Sequence, residues 1–124
     1  MKALHTNLAP AAIGPYSQAI EVNGIIFASG QLPIDPATGE FAEGGIKGQT
    51  RQALNNASHI MEEAGTDLSH VVKTTVYLAD MSDFADMNEV YSTFFKEPYP
   101  ARSAVSVKAL PKGALVEVEC IAVK

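Results

Sequence analysis

The dipeptide Asn23-Gly24 separates two apolar stretches, Ala19-Ile20-Glu21-Val22 and Ile25-Ile26-Phe27-Ala28-Ser29, and constrains the fold more than any other local feature. Two-residue turns need positive φ angles, which Asn and Gly adopt most readily, so Tyr16 to Gln31 predicts a tight antiparallel hairpin.

Downstream, the period changes. Ile46, Thr50, Ala53, Leu54, Ala57, Ile60, Met61 and Ala64 recur at helical spacing along one face, and Gly65 is placed to stop that helix. Val71 to Leu78 is rich in strand formers and predicts a third long strand. Ser82 or Asp83 is the expected cap of a second helix, with Phe84, Met87, Val90, Tyr91 and Phe94 as its apolar stripe and Pro98 beyond its end. Arg102 to Ala109 and Leu115 to Val123 predict two final strands, joined as a hairpin through the turn residues of Leu110-Pro111-Lys112-Gly113-Ala114.

The resulting order, β-β-α-β-α-β-β, predicts an α+β fold over residues 1–124 as one domain, with a mixed sheet and both helices on one face. Ile20, Val22, Val105, Val107, Val116 and Val118 leave little polar strand surface for the other face. The simplest cover there is another subunit, so a homo-oligomer is expected.

Composition narrows the function. The chain has 124 residues, 47% of them hydrophobic, enough to bury a core without disulfides or metal. Fourteen acidic residues against nine scattered basic ones give a net charge of −5, which argues against nucleic acid as the main partner. The lone cysteine, Cys120, suits a reducing compartment. With no apolar leader and no run of membrane-spanning length, the expectation is a soluble cytoplasmic protein without a membrane partner.

Few residues offer chemistry. In Val116-Glu117-Val118-Glu119-Cys120-Ile121-Ala122-Val123, alternation puts Glu117 and Glu119 on one face with Leu115, Ile121 and Val123. A carboxylate on such an apolar strand is either a solvated or salt-bridged edge group, or a desolvated base suited to activating water. Arg102 opens the preceding strand, where a planar guanidinium could grip a substrate carboxylate with two parallel hydrogen bonds or form a surface ion pair. Ser29-Gly30-Gln31 closes an apolar strand, and its glycine permits either close ligand approach or a bulge. Tyr16 is an anchoring core phenol or a cleft residue, and Asn88 interrupts the stripe of the second helix. His59 and Glu63 sit one helical turn apart, but no third ligand has metal-site spacing, so no metal is expected. Cys120 reads as an inert core thiol.

Taken together, Pro100-Ala101-Arg102-Ser103-Ala104-Val105, Leu110-Pro111 and Val116-Glu117-Val118-Glu119 resemble the signature segment of the Rid/YjgF family. Ala12-Ile13-Gly14-Pro15-Tyr16-Ser17-Gln18-Ala19 and Phe27-Ala28-Ser29-Gly30-Gln31 are similar to its N-terminal blocks. The resemblance implies a chorismate-mutase-like homotrimer with clefts at subunit interfaces. It also implies cofactor-independent hydrolysis of short 2-imino acids to 2-keto acids and ammonia. By position, Arg102 would bind the substrate carboxylate, Glu117 would activate water, and backbone groups of Gly30 and Ala104 would touch the substrate. Tyr16, Ser29 and Asn88 would line the cleft. Ala104 departs from the cysteine many relatives carry there, and Glu119 is given no role. Two other classes compete: an endoribonuclease or translation inhibitor, a label some family members carry, and a non-catalytic module that binds keto acids.

Overall fold

The computed structural model describes residues 1–124. Its elements are β1 (Lys2–Leu4), β2 (Ala19–Val22), β3 (Ile25–Gln31), α1 (Gly45–Glu63), β4 (Val71–Leu78), α2 (Phe84–Tyr91), β5 (Ala101–Ser106) and β6 (Val116–Val123). Short 3₁₀ turns at Leu68–His70, Met81–Asp83 and Pro111–Gly113 link them.

The predicted hairpin forms with Ala19 opposite Ala28 and Val22 opposite Ile25. At its turn Asn23 and Gly24 have φ of 51° and 75°, the left-handed values this connection demands. The first strand, β1, adds to the outer edge of β2 and was not anticipated, being three residues long.

All strands join one six-stranded sheet in the order β1-β2-β3-β6-β4-β5. The expected C-terminal hairpin does not exist. β6 instead runs antiparallel to both β3 and β4 at the centre, whereas β5 pairs in parallel with β4 at the far edge. The physical reason is burial: Val116, Val118, Cys120 and Ala122 are all nearly inaccessible, and a central position under a helix hides such a row along its whole length.

That row faces α1, whose Ala53, Leu54, Ala57, Ile60 and Met61 complete the same core with Ile26, Val76, Leu78 and Met87. Both helices lie on this face, as expected; Tyr91 of α2 meets Thr74 of β4 there, their hydroxyls 2.8 Å apart. Gly65, at φ 82°, ends α1: its N–H donates to Glu62 and that of Thr66 to Met61. The entry to α2 differs from expectation, because Asp80 accepts from the Ser82 N–H and caps the 3₁₀ turn before the helix, whereas Asp83 makes no side-chain cap. No helix is long and apolar enough to cross a membrane.

The opposite sheet face carries Ile25, Phe27, Val105 and Val123, each more than a third exposed. Ile20 and Val22 share that side, lying across from Phe27 and Ile25. Val116 and Val118 do not; they belong to the helix-covered core.

Two buried amides on α1 position loops near this second face. Asn56 donates to the carbonyls of Leu32 and Ile34 at 3.1 and 2.9 Å, and Gln49 accepts from the Leu115 N–H at 2.8 Å. Asn56→Ala leaves two part-buried carbonyls without their partner, at about 1–3 kcal/mol each and so at most about 2–6 kcal/mol together. Urea unfolding should show the variant destabilised by an amount in that range with an unchanged m-value.

Candidate functional site

Between β1 and β2 the chain from Thr6 to Gln18 runs from the helix-side core, where Ala9 packs, to one wall of a cleft of about 640 Å³. Gln18, nearly fully buried, staples this segment: its side chain accepts from the Thr6 N–H at 2.8 Å and donates to the carbonyls of Thr6 and Pro10 at 3.0 and 2.8 Å. His59 adds a contact from α1, with Nδ1 2.9 Å from the Leu8 carbonyl oxygen. The histidine therefore helps to secure this wall.

Tyr16, Ser29, Gly30, Glu117, Glu119 and Lys112 line the cleft. Glu117 lies across the β3 backbone at the point where the β3–β6 register shifts, between Ala28 and Gln31. A β-carbon on Gly30 would overlap the Glu117 carboxylate, so only glycine leaves room for it. Of the readings open for Gly30 the bulge holds, and the space beside it is filled by a side chain of the protein itself.

Burial raises the Glu117 carboxyl above the ordinary carboxylate range, and the charge of Glu119 raises it further. It is thus a stronger base than a solvated glutamate, and it forms no salt bridge. Ser29 is less free, since its hydroxyl donates to the Ser17 carbonyl at 2.6 Å and serves to tie the segment down. Tyr16 is exposed on the cleft rim. Cys120 points into the core, where burial above all pushes its thiol up to about 12, in keeping with an inert role.

Arg102 goes elsewhere. It pairs with Thr74 across the β4–β5 ladder and so faces the helix side. There its guanidinium stacks 4.7 Å from the Tyr91 ring centroid and 5.4 Å from that of Phe84, and Nη1 donates to Asn88 Oδ1 at 2.7 Å. Asn88, Tyr91, Tyr99, Pro100 and Arg102 form a second, shallower recess. Ala104 follows on the same strand with its methyl against the core. One subunit thus carries two separate recesses on opposite faces of one sheet. One holds a carboxylate base and the other a fixed cation.

The family described as endoribonuclease L-PSP matches residues 6–124, nearly the whole chain. The chain belongs to this family. Among its relatives, a RutC family protein of Sinorhizobium fredii is 58% identical over 98% of this chain and 96% of its own length. The 2-iminobutanoate/2-iminopropanoate deaminase of Mus musculus is 51% identical over 99% of this chain and 91% of its own. The crystal structure of RidA from the Antarctic bacterium Psychrobacter sp. superposes with a TM-score of 0.96 at 49% identity, covering all of both chains. The Rid resemblance read from separated sequence blocks is therefore correct, and so is the mixed α+β architecture.

Sequence reading missed three contributors: Tyr91 as the platform under Arg102, Gln18 as the staple of the cleft wall, and Tyr77, whose hydroxyl donates to Glu119 Oε1 at 3.0 Å. Tyr91 carried only a core signal, and an i,i+3 relation to Asn88 was the available hint.

The raised Glu117 carboxyl has a cost in stability. Its folded pKa exceeds the unfolded value, so the native state binds more protons in the interval between them and stability falls as pH rises through it. Glu117→Gln should therefore raise Tm at neutral pH. The gain should shrink as pH falls and vanish below the unfolded carboxylate pKa of about 4.3, which thermal melts from pH 4 to 8 would follow.

Proposed function

We propose that the chain is a 2-iminobutanoate/2-iminopropanoate deaminase, hydrolysing short 2-imino acids to 2-keto acids and ammonia without a cofactor. The observation that carries this reading is the partly desolvated Glu117 carboxylate seated over Gly30 in an open cleft. Support comes from the mammalian relatives of that name, 47–51% identical over 99% of the chain.

The chemistry asks for little. A protonated imine is already electrophilic at C2, so water needs only to be placed and relieved of a proton. Glu117 takes that proton as the water oxygen bonds to C2, giving a carbinolamine. The protonated Glu117 returns it to nitrogen and, a carboxylate again, takes the carbinolamine hydroxyl proton as the C2–N bond breaks, so that the ketone forms and ammonia leaves. Arg102 holds the substrate carboxylate through two parallel hydrogen bonds, and backbone groups of Gly30 and Ala104 contact the substrate, with Tyr16, Ser29 and Asn88 around it. The substrates are the unstable enamine products of pyridoxal-phosphate dehydratases, 2-aminoacrylate and 2-aminocrotonate, in their imine forms.

Arg102 and Glu117 face opposite ways in one subunit, so this reading requires a second copy. The proposed assembly is a homotrimer in which the exposed Phe27, Val105 and Val123 face is covered and the β5 edge of one subunit completes the cleft of the next. The test couples purified protein to threonine dehydratase and threonine and follows imine decay against an enzyme-free control. Acceleration is expected; Glu117→Gln should lower kcat by roughly 10²- to 10⁴-fold, and Arg102→Ala should act mainly on KM. Decay no faster than spontaneous hydrolysis defeats the reading. RNA cleavage that survives Arg102→Ala would instead favour a ribonuclease, against which the scattered basic residues weigh.

A further inference from the structure

Glu119 is the cleft carboxylate with no part in the chemistry above. It projects from β6 on the same side as Glu117, the two α-carbons being about 6.7 Å apart along the strand. Across the β4–β6 ladder Tyr77 stands opposite Glu117 and Thr75 opposite Glu119. The Tyr77 phenol nevertheless leans along the sheet and donates to Glu119 Oε1 at 3.0 Å. A directly opposite partner would have been the nearer target, so this diagonal bond fixes Glu119 and leaves Glu117 to lie over Gly30.

We propose that Glu119, anchored by Tyr77, is a positioning residue for Glu117: held in place beside it on β6, it keeps the Glu117 carboxylate seated over Gly30. The proposal rests on Glu117 being the base of the reaction described above.

Within one subunit the surrounding groups are few, and in the proposed assembly the Arg102 of a second copy joins them. From β4 come Tyr77 and Lys73, the latter in a separate groove with Thr75 and Glu119. Tyr16 comes from the N-terminal segment and Lys112 from the Pro111–Gly113 turn, exposed at the mouth. β3 contributes Phe27, Ser29 and Gln31, and β5 contributes Ser103 and Val105, none of them charged. Glu119 is therefore the one anion on the face that Glu117 occupies. The titration directions agree: Tyr77 is raised first by its bond to Glu119, and Glu117 by burial and then by the Glu119 charge.

The test reads Glu117 directly. Carbon-13 NMR follows its side-chain carboxyl against pH in the parent, Glu119→Gln and Tyr77→Phe, with the mass in solution checked for each. Glu119→Gln removes the charge, so the Glu117 midpoint should move to lower pH. Tyr77→Phe frees Glu119 to swing away and should move it the same way by less, and Glu119→Asp should restore most of the parent value. Because this readout needs no turnover, it remains decisive even where imine hydrolysis is not observed. Where hydrolysis is observed, the acidic limb of kcat/KM in Glu119→Gln should move in step with the NMR midpoint, with KM within about twofold of the parent. A Glu117 midpoint that stays put in both Glu119→Gln and Tyr77→Phe overturns the proposal, and so does an acidic limb that does not move.

Discussion

The two faces of β6 cannot be satisfied in the same way, and that conflict organises the molecule. One row of its side chains is small and apolar and has to be dry; the other contains two carboxylates and has to reach water. Seating the strand at the centre of the sheet, beneath α1, meets the first demand along its whole length. The second is met only because the facing side is left open and is shaped into a cleft by the Thr6–Gln18 segment. Fold and candidate site are thus two outcomes of one alternation.

Much of this was legible locally. The hairpin at Asn23-Gly24, α1 and β4 each follow from a period and its punctuation, and the structure gives them within a residue or so of the expected limits. Short-range patterns could not supply strand order. Leu110 to Ala114 has the residues of a hairpin loop, yet its Pro111–Gly113 turn, with Lys112 at φ 58°, sends the chain past β5 and across to the gap between β3 and β4. Only the burial of four alternate β6 residues, Val116, Val118, Cys120 and Ala122, could have signalled a central position, and the same residues would suit an edge strand packed on a helix.

The site was legible in its parts and not in their arrangement. Glu117 and Arg102 were each identified from residue type and context, but the face a strand residue occupies relative to another strand depends on pairing register. Arg102 aligns with Thr74 and Glu117 with Tyr77, neighbours whose side chains alternate with the core, and this parity sends the two charges to opposite sides. Gly30 gained a specific reason, since the space it leaves is filled by the Glu117 carboxylate. The blocks of family resemblance name these residues together, across separations that periodicity does not span, and the family they point to is the one the chain belongs to.

The setting of Arg102 has a thermodynamic consequence. A free arginine side chain gives up about 2 kcal/mol of rotamer entropy when it is immobilised. Here the Tyr91 ring beneath the guanidinium and the Asn88 amide at one nitrogen have already imposed that order in the resting protein. Of the five N–H donors a guanidinium carries, the Asn88 bond engages one at Nη1. The guanidinium is therefore a rigid fork with most of its donors still open, and under the proposed reading a carboxylate would spend little binding energy on stilling a mobile chain.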